Sequence, residues 1–267
     1  MRARLIVTTI VLGGVALAFG GTMALVGTSA AASGGLYPDF ASAVPHHFTV
    51  QKTGQEETLR FSNGVANIGA GPFQIRPESN PVTLETIGFQ EILDATGAIV
   101  FDQAVSKFVF HPEHNHWHIT AVALYEIRAA LDNGTGGTMG GVVGGQSLKT
   151  TFCLIDWIKL EGNSNTNGRT YFDCKPDARQ GLSVGWVDQY HHALEGQEVK
   201  ITHVPAGIYY LLTKANPDEN FLETTTSNNS AWTSFRLSRD NNGKAKITEI
   251  SHSPCSGGLC GEQIPNR

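Results

Sequence analysis

Glu57-Thr58-Leu59-Arg60-Phe61-Ser62 is the stretch on which the fold turns. Leu59 and Phe61 share one face of an extended chain, the period of two that marks a half-buried strand. Working outward, His47 to Gln51 before it and Pro72-Phe73-Gln74-Ile75 after it also read as extended. Gly64, Asn67, Gly69 and Gly71 predict a turn between the last two runs. Further strands are expected over Ile99–Phe110, His114–Arg128, Gln197–Val204, Ile208–Lys214, Trp232–Leu237 and Lys244–Ile250. Beyond the N-terminal leader nothing sustains a 3.6-residue period. Turn signals recur at the intervals of sandwiches and barrels. The expectation is an all-β protein, a meander or Greek-key β-sandwich with long loops and little helix. Asp132 to Gln146 holds seven glycines and predicts a flexible surface loop. Gly162–Gly168 reads as a second loop. Asn216–Asn229, which contains Glu223, reads as a hairpin region.

The N-terminus predicts export. Arg2 and Arg4 precede an apolar stretch from Leu5 to about Val26, and small residues end in Ala30-Ala31-Ala32. That is the charged, apolar and small-residue order of a secretory leader, with cleavage expected after Ala32. An uncleaved cell-surface anchor is the rival, since a bilayer takes about 20 apolar residues; otherwise no membrane contact is expected. The organisation predicted is a leader over 1–32, a catalytic β domain over 33–250 and a Cys-containing tail over 251–267. A formal charge of −5, with no Lys/Arg cluster, excludes nucleic acid as a natural partner. Four cysteines in an oxidising compartment predict two disulfides. Three pairings exist; Cys153–Cys174 with Cys255–Cys260 is the favoured one. A four-cysteine zinc site fits the wide, uneven spacing poorly.

Chemistry is concentrated in His114-Asn115-His116-Trp117-His118. As a strand, the run puts the three histidines on one face and Asn115 and Trp117 on the other. Three converging imidazoles are three legs of a metal site with room for an exogenous ligand. With His111, four of the ten histidines fall within eight residues. The bland alternative is a solvated, His-rich strand face. Trp117 reads as a core anchor, and His111 as a partner orienting one of the imidazoles.

Five stretches, in order, resemble the lysyl oxidase family of secreted copper amine oxidases. They are Leu59-Arg60-Phe61 through Val65, Asn67 and Gly69; His111 through His118; Lys149 through Asp156; Gln180-Gly181-Leu182-Ser183 with Gly185, Asp188 and Tyr190; and Ile201 through Tyr209, followed by Glu223 and Asn228-Asn229. Glu113 and Trp186 stand where the animal enzymes have cysteine, and the Gly-rich loop before Lys149 is this chain's own.

The resemblance implies a bacterial-type exported member with Cu(II) on His114, His116 and His118. It also implies a lysine tyrosylquinone cofactor formed by crosslinking Lys149 to an oxidised Tyr190. Imidazole suits Cu(II), although three histidines with an open position also fit catalytic zinc. The implied activity is oxidative deamination of primary amines, peptidyl lysine among them, by molecular oxygen, giving aldehyde, ammonia and hydrogen peroxide. Asp188 is the candidate general base, because residues i and i+2 of a strand share a face. His191 and His192 read as rim residues. The competing classes are an exported copper-binding β-sandwich without catalysis and a three-histidine zinc hydrolase.

Overall fold

The computed structural model describes residues 34–112, 115–145, 151–160 and 168–261. In chain order the strands are β1 (Phe40–Ser42), β2 (His46–Thr53), β3 (Glu56–Asn67), β4 (Phe73–Ser79), β5 (Thr86–Leu93) and β6 (Ile99–His111). Next come β7 (His116–Thr120), β8 (Ala123–Ala130), β9 (Met139–Val142), β10 (Thr151–Phe152), β11 (Ile158–Lys159) and β12 (Gln180–Leu182). Last are β13 (Trp186–Tyr190), β14 (Glu198–Lys200), β15 (Gly207–Ala215), β16 (Ser230–Arg239) and β17 (Ala245–His252). The only helical element among the described residues is a single 3₁₀ turn at Ser256–Gly258. The protein is all-β, as the sequence pattern predicts.

Every strand pair is antiparallel, and the strands fall into three sheets. One runs β1-β3-β13-β11, with β2 and β14 also pairing β3. The second runs β10-β7-β6-β5-β4-β12, and the third β17-β16-β15-β8-β9. A shared core lies between them. Leu59 and Phe61 of β3 are both fully buried, and Phe61 packs edge-on against Tyr125 of β8 with centroids 4.9 Å apart. Phe40, Phe73 and Phe221 form a second aromatic group. Offset or edge-on pairs of this kind add roughly 0.5–1.5 kcal/mol each beyond the area they bury. A smaller apolar cluster of Ala41, Ala66, Ile158 and Val187 takes in Leu259, whose carbonyl accepts from the Val44 N–H.

Four local expectations are corrected. β3 does not turn at Gly64 but continues to Asn67, because a Cβ at Gly64 would lie 3.0 Å from Val187 Cγ1. The glycine there lets β13 approach closely. The single strand expected over His114–Arg128 is two strands in different sheets, divided at Ala121, whose φ is +62°. The strand expected over Gln197–Val204 shrinks to Glu198–Lys200, because the chain turns through His203 at φ +66°. The Gly-rich loop contains an edge strand, β9, paired with β8. Its turn is gathered by the Asp132 carboxylate, which accepts from the N–H groups of Gly134, Gly136 and Thr138 and from the Tyr210 hydroxyl. The Tyr210 hydrogen bond, the largest influence, outweighs desolvation and holds the Asp132 carboxyl down at about 2. The expected loop over Gly162–Gly168 lies, apart from Gly168, outside the described residues.

Both favoured disulfides are present, Cys153–Cys174 and Cys255–Cys260. No helix among the described residues is long and apolar enough to cross a membrane.

Candidate active site

His116 opens β7, and the strand's alternation returns His118 to the same side two residues later. Asn115, at φ +53°, breaks the extended chain just before His116, so the strand expected from His114 begins two residues later. His114 itself lies outside the described residues. The Nε2 atoms of His116 and His118 are 2.7 Å apart, aimed at one another. His118 is only 6% exposed. His111 is registered opposite His116 across the β6–β7 pair, and its ring stacks on His118 with centroids 4.8 Å apart. Trp117 packs on Phe110 and against the core, as expected of the opposite face.

Asp188 and Tyr190 come from β13, paired with Val65 and Asn63 of β3. Their shared face puts the Tyr190 hydroxyl in a short hydrogen bond to Asp188 Oδ2, and it lies 3.1 Å from the Cys153 carbonyl oxygen. Phe152 meets the Tyr190 ring edge-on at 4.4 Å. Burial pushes the Tyr190 phenol well above its ordinary value, and the Asp188 charge and hydrogen bond push it further. The phenol is therefore neutral through the physiological range, held by a carboxylate that is 3% exposed. Lys149 lies outside the described residues.

The Cys153–Cys174 bridge connects the two halves of the site. Cys153 presents its carbonyl to Tyr190, and the Cys174 carbonyl accepts from the Trp117 N–H at 2.9 Å, between the two histidines. Gln180 Nε2 donates to the Trp117 carbonyl at 2.7 Å. Asp156, fully buried, accepts from the N–H groups of Ser183, Thr170 and Tyr171 and from the Ser183 hydroxyl, fixing the chain just beyond Cys153. The result is one cavity of about 550 Å³ whose wall includes His116, His118, Phe152, Trp157, Asp188, Tyr190, His191 and Glu195. Trp157 and Glu195 had no signal in the sequence. Trp157, 54% exposed, lies in a segment where only two residues form a strand, and Glu195 follows the turn after Tyr190. His191 and His192 sit with His47 in a separate ring cluster, and His191 reaches the cavity wall.

The fold and cavity define a class: an all-β protein that joins paired imidazoles to a carboxylate-bonded phenol in one largely apolar chamber. The sequence profile of the family described as "Lysyl oxidase" matches residues 87–246, from β5 into β17 and across the cavity residues from His116 to Glu195. The chain belongs to the lysyl oxidase family. It is 28% identical over 177 residues to lysyl oxidase homolog 2 of Homo sapiens, covering 66% of this chain and 18% of that relative. It is 31% identical over 176 residues to the Mus musculus lysyl oxidase homolog 2 and 28% identical over 176 residues to Danio rerio lysyl oxidase homolog 3A, with the same shares covered. The matched region thus spans less than a fifth of the length of these relatives.

Proposed function

We propose that this protein is an exported copper- and quinone-dependent amine oxidase that deaminates primary amines, with lysine side chains of peptides as its substrate class. One observation carries the reading. The His116–His118 pair and the Tyr190–Asp188 pair, from different sheets, line the same cavity. The donor chemistry fits the group implied. Two imidazole nitrogens already directed at each other, followed in sequence order from His114, are the donors a borderline divalent metal selects. Copper would be held by His116 and His118 with His114, and the quinone would derive from Tyr190 and Lys149. When bound, the pair supplies an electron sink that oxygen can reoxidise.

The remaining work falls to the chain's own groups. Asp188 anchors the Tyr190 oxygen and is the group in place to take the proton from the carbon beside the substrate nitrogen. Phe152 and Trp157 give the chamber apolar walls that limit water. Asp188 and Glu195 make the cavity a favourable destination for an ammonium group. A copper carrier without catalysis would have no use for a half-buried phenol bonded to a buried carboxylate. The leader and the two disulfides support an extracellular location, with the catalytic domain following residue 32.

The test is phenylhydrazine labelling of the copper-loaded, aerated protein, read by visible absorbance and peptide mass spectrometry. The expected result is a coloured adduct on a crosslinked peptide containing Lys149 and Tyr190. Bound copper with neither adduct nor crosslink would overturn the oxidase reading.

A further inference from the structure

We propose that His47, His191 and His192 form a second transition-metal site, built from β2 and the turn after β13 and separate from the His116–His118 pair. One ring nitrogen from each of the three lies within 4.8 Å of the others. The grouping is long-range, joining residues more than 140 positions apart, so sequence proximity does not explain it. Zn–N bonds of about 2.0–2.1 Å in a tetrahedron hold ligand nitrogens roughly 3.3 Å apart. Closing the trio onto one ion therefore takes about 1.5 Å of ring movement, within reach of side-chain rotation for the exposed rings of His47 and His191.

The backbone holds all three rings at the same place. The β2–β3 register slips between His46 and Thr49, and His47 sits in that irregularity at φ +54°, a conformation costly for a side chain with a Cβ. Its ring centroid is 6.2 Å from that of His191 and 5.9 Å from that of His192. The chain leaves β13 at Tyr190 and turns, and the rings of His191 and His192 lie 4.0 Å apart. The turn is fixed from below. His192 N–H donates to Ser62 Oγ, while Arg60 donates to the carbonyls of His192 and Leu194. Arg60 is itself paired with Glu198, so its charge does not stand unopposed beside the cluster. His191 Nδ1 accepts from the Ala193 N–H at 3.2 Å.

Three imidazoles suit Zn(II) or Cu(II). An ion there would tie the β2 irregularity to the segment that follows Tyr190. Because His191 also lines the cavity, that brace would lie on the cavity rim.

Zn(II) titration calorimetry on the untagged full-length chain tests this, with far-UV circular dichroism confirming that each variant is folded. Two equivalents are expected for the wild type. A His116→Ala/His118→Ala variant should retain one equivalent. Adding either His47→Gln or His191→Gln to that variant should abolish it, and should also abolish the rise in melting temperature that Zn(II) gives. Retention of the equivalent in both folded triple variants would overturn the proposal. A wild type that binds one equivalent, lost with His116 and His118, would overturn it while leaving the oxidase reading intact. Loss of one of two equivalents only through His47 or His191, with no change on removing His116 and His118, would uphold it and remove the first metal site.

Discussion

Replacing Cys153 and Cys174 together by alanine removes the bridge that joins the two halves of the cavity. The cysteines are 21 positions apart. In the chain-entropy description, closing a loop of that length stabilises the folded state by about 3.3 kcal/mol at 25 °C. The five-residue separation of Cys255 and Cys260 gives about 2 kcal/mol in the same description. For a domain of this size 1 kcal/mol moves the melting temperature by about 2–4 °C, so the first variant should melt roughly 7–13 °C lower. The direct assay is urea unfolding followed by tryptophan fluorescence under oxidising conditions. Cys153→Ala/Cys174→Ala is compared there with Cys255→Ala/Cys260→Ala and the wild type, and the urea dependence is checked for constancy. The neighbouring contacts are main-chain ones that alanine keeps, since the Cys174 carbonyl accepts from the Trp117 N–H and the Cys153 carbonyl faces the Tyr190 hydroxyl, so the entropic figure is the loss to expect. A loss under about 1 kcal/mol, or one no larger than that of the C-terminal bridge, would refute the reasoning that loop length sets the bridge's contribution.

Two further outcomes are expected. Asp188→Asn keeps an acceptor for the Tyr190 hydroxyl but removes the base, so turnover should fall by roughly 10²–10⁴-fold while the quinone absorbance persists; unchanged turnover with an intact chromophore would remove Asp188 from that role. Glu91, 1% exposed, resists ionisation through burial, but Arg179, Gln74 and Arg76 outweigh this and hold its carboxyl below the ordinary 4.5. Its contribution is therefore present above about pH 4.5 and is lost as pH falls through the lower folded value. Glu91→Gln should cost roughly 2 kcal/mol at neutral pH and flatten the acid side of the stability profile below that point; an unaltered acid limb in denaturant titrations would contradict the assignment.

Glu223 shows how a residue can stand out in the sequence while its work remains hidden. The sequence placed it in a polar hairpin region. In the fold its carboxylate accepts from the side chains of Asn216 and Asn229 and from the Phe40 N–H. Burial, the largest influence, outweighs these bonds and leaves its carboxyl raised. It thus ties the β15–β16 connection to the first strand, a contact spanning 183 positions that no local pattern encodes.

The residues that end or divide strands were equally silent. Ala121 and His203 carry no turn chemistry of their own, and they adopt positive φ because the sheets on either side demand it. Gly64 misled for the opposite reason. It is a punctuation signal in isolation, but here it is the gap that admits the neighbouring strand.

The sequence by itself determined the all-β class, the sharing of one face by His116 and His118 and by Asp188 and Tyr190, and the family through five ordered stretches; it favoured the Cys153–Cys174 and Cys255–Cys260 pairing among three, and the structure has that one. Each of these rests on a period of two, on short spacing or on residue type, all of which survive without knowledge of the rest of the chain. Only the tertiary structure decided that β7 and β13, in different sheets, face one cavity, that Trp157 and Glu195 line it, and that His47 meets His191 and His192. Those meetings join residues dozens to more than a hundred positions apart. Burial of the common core against the entropy of closing long loops selects them, and that balance is a property of the whole chain rather than of any segment.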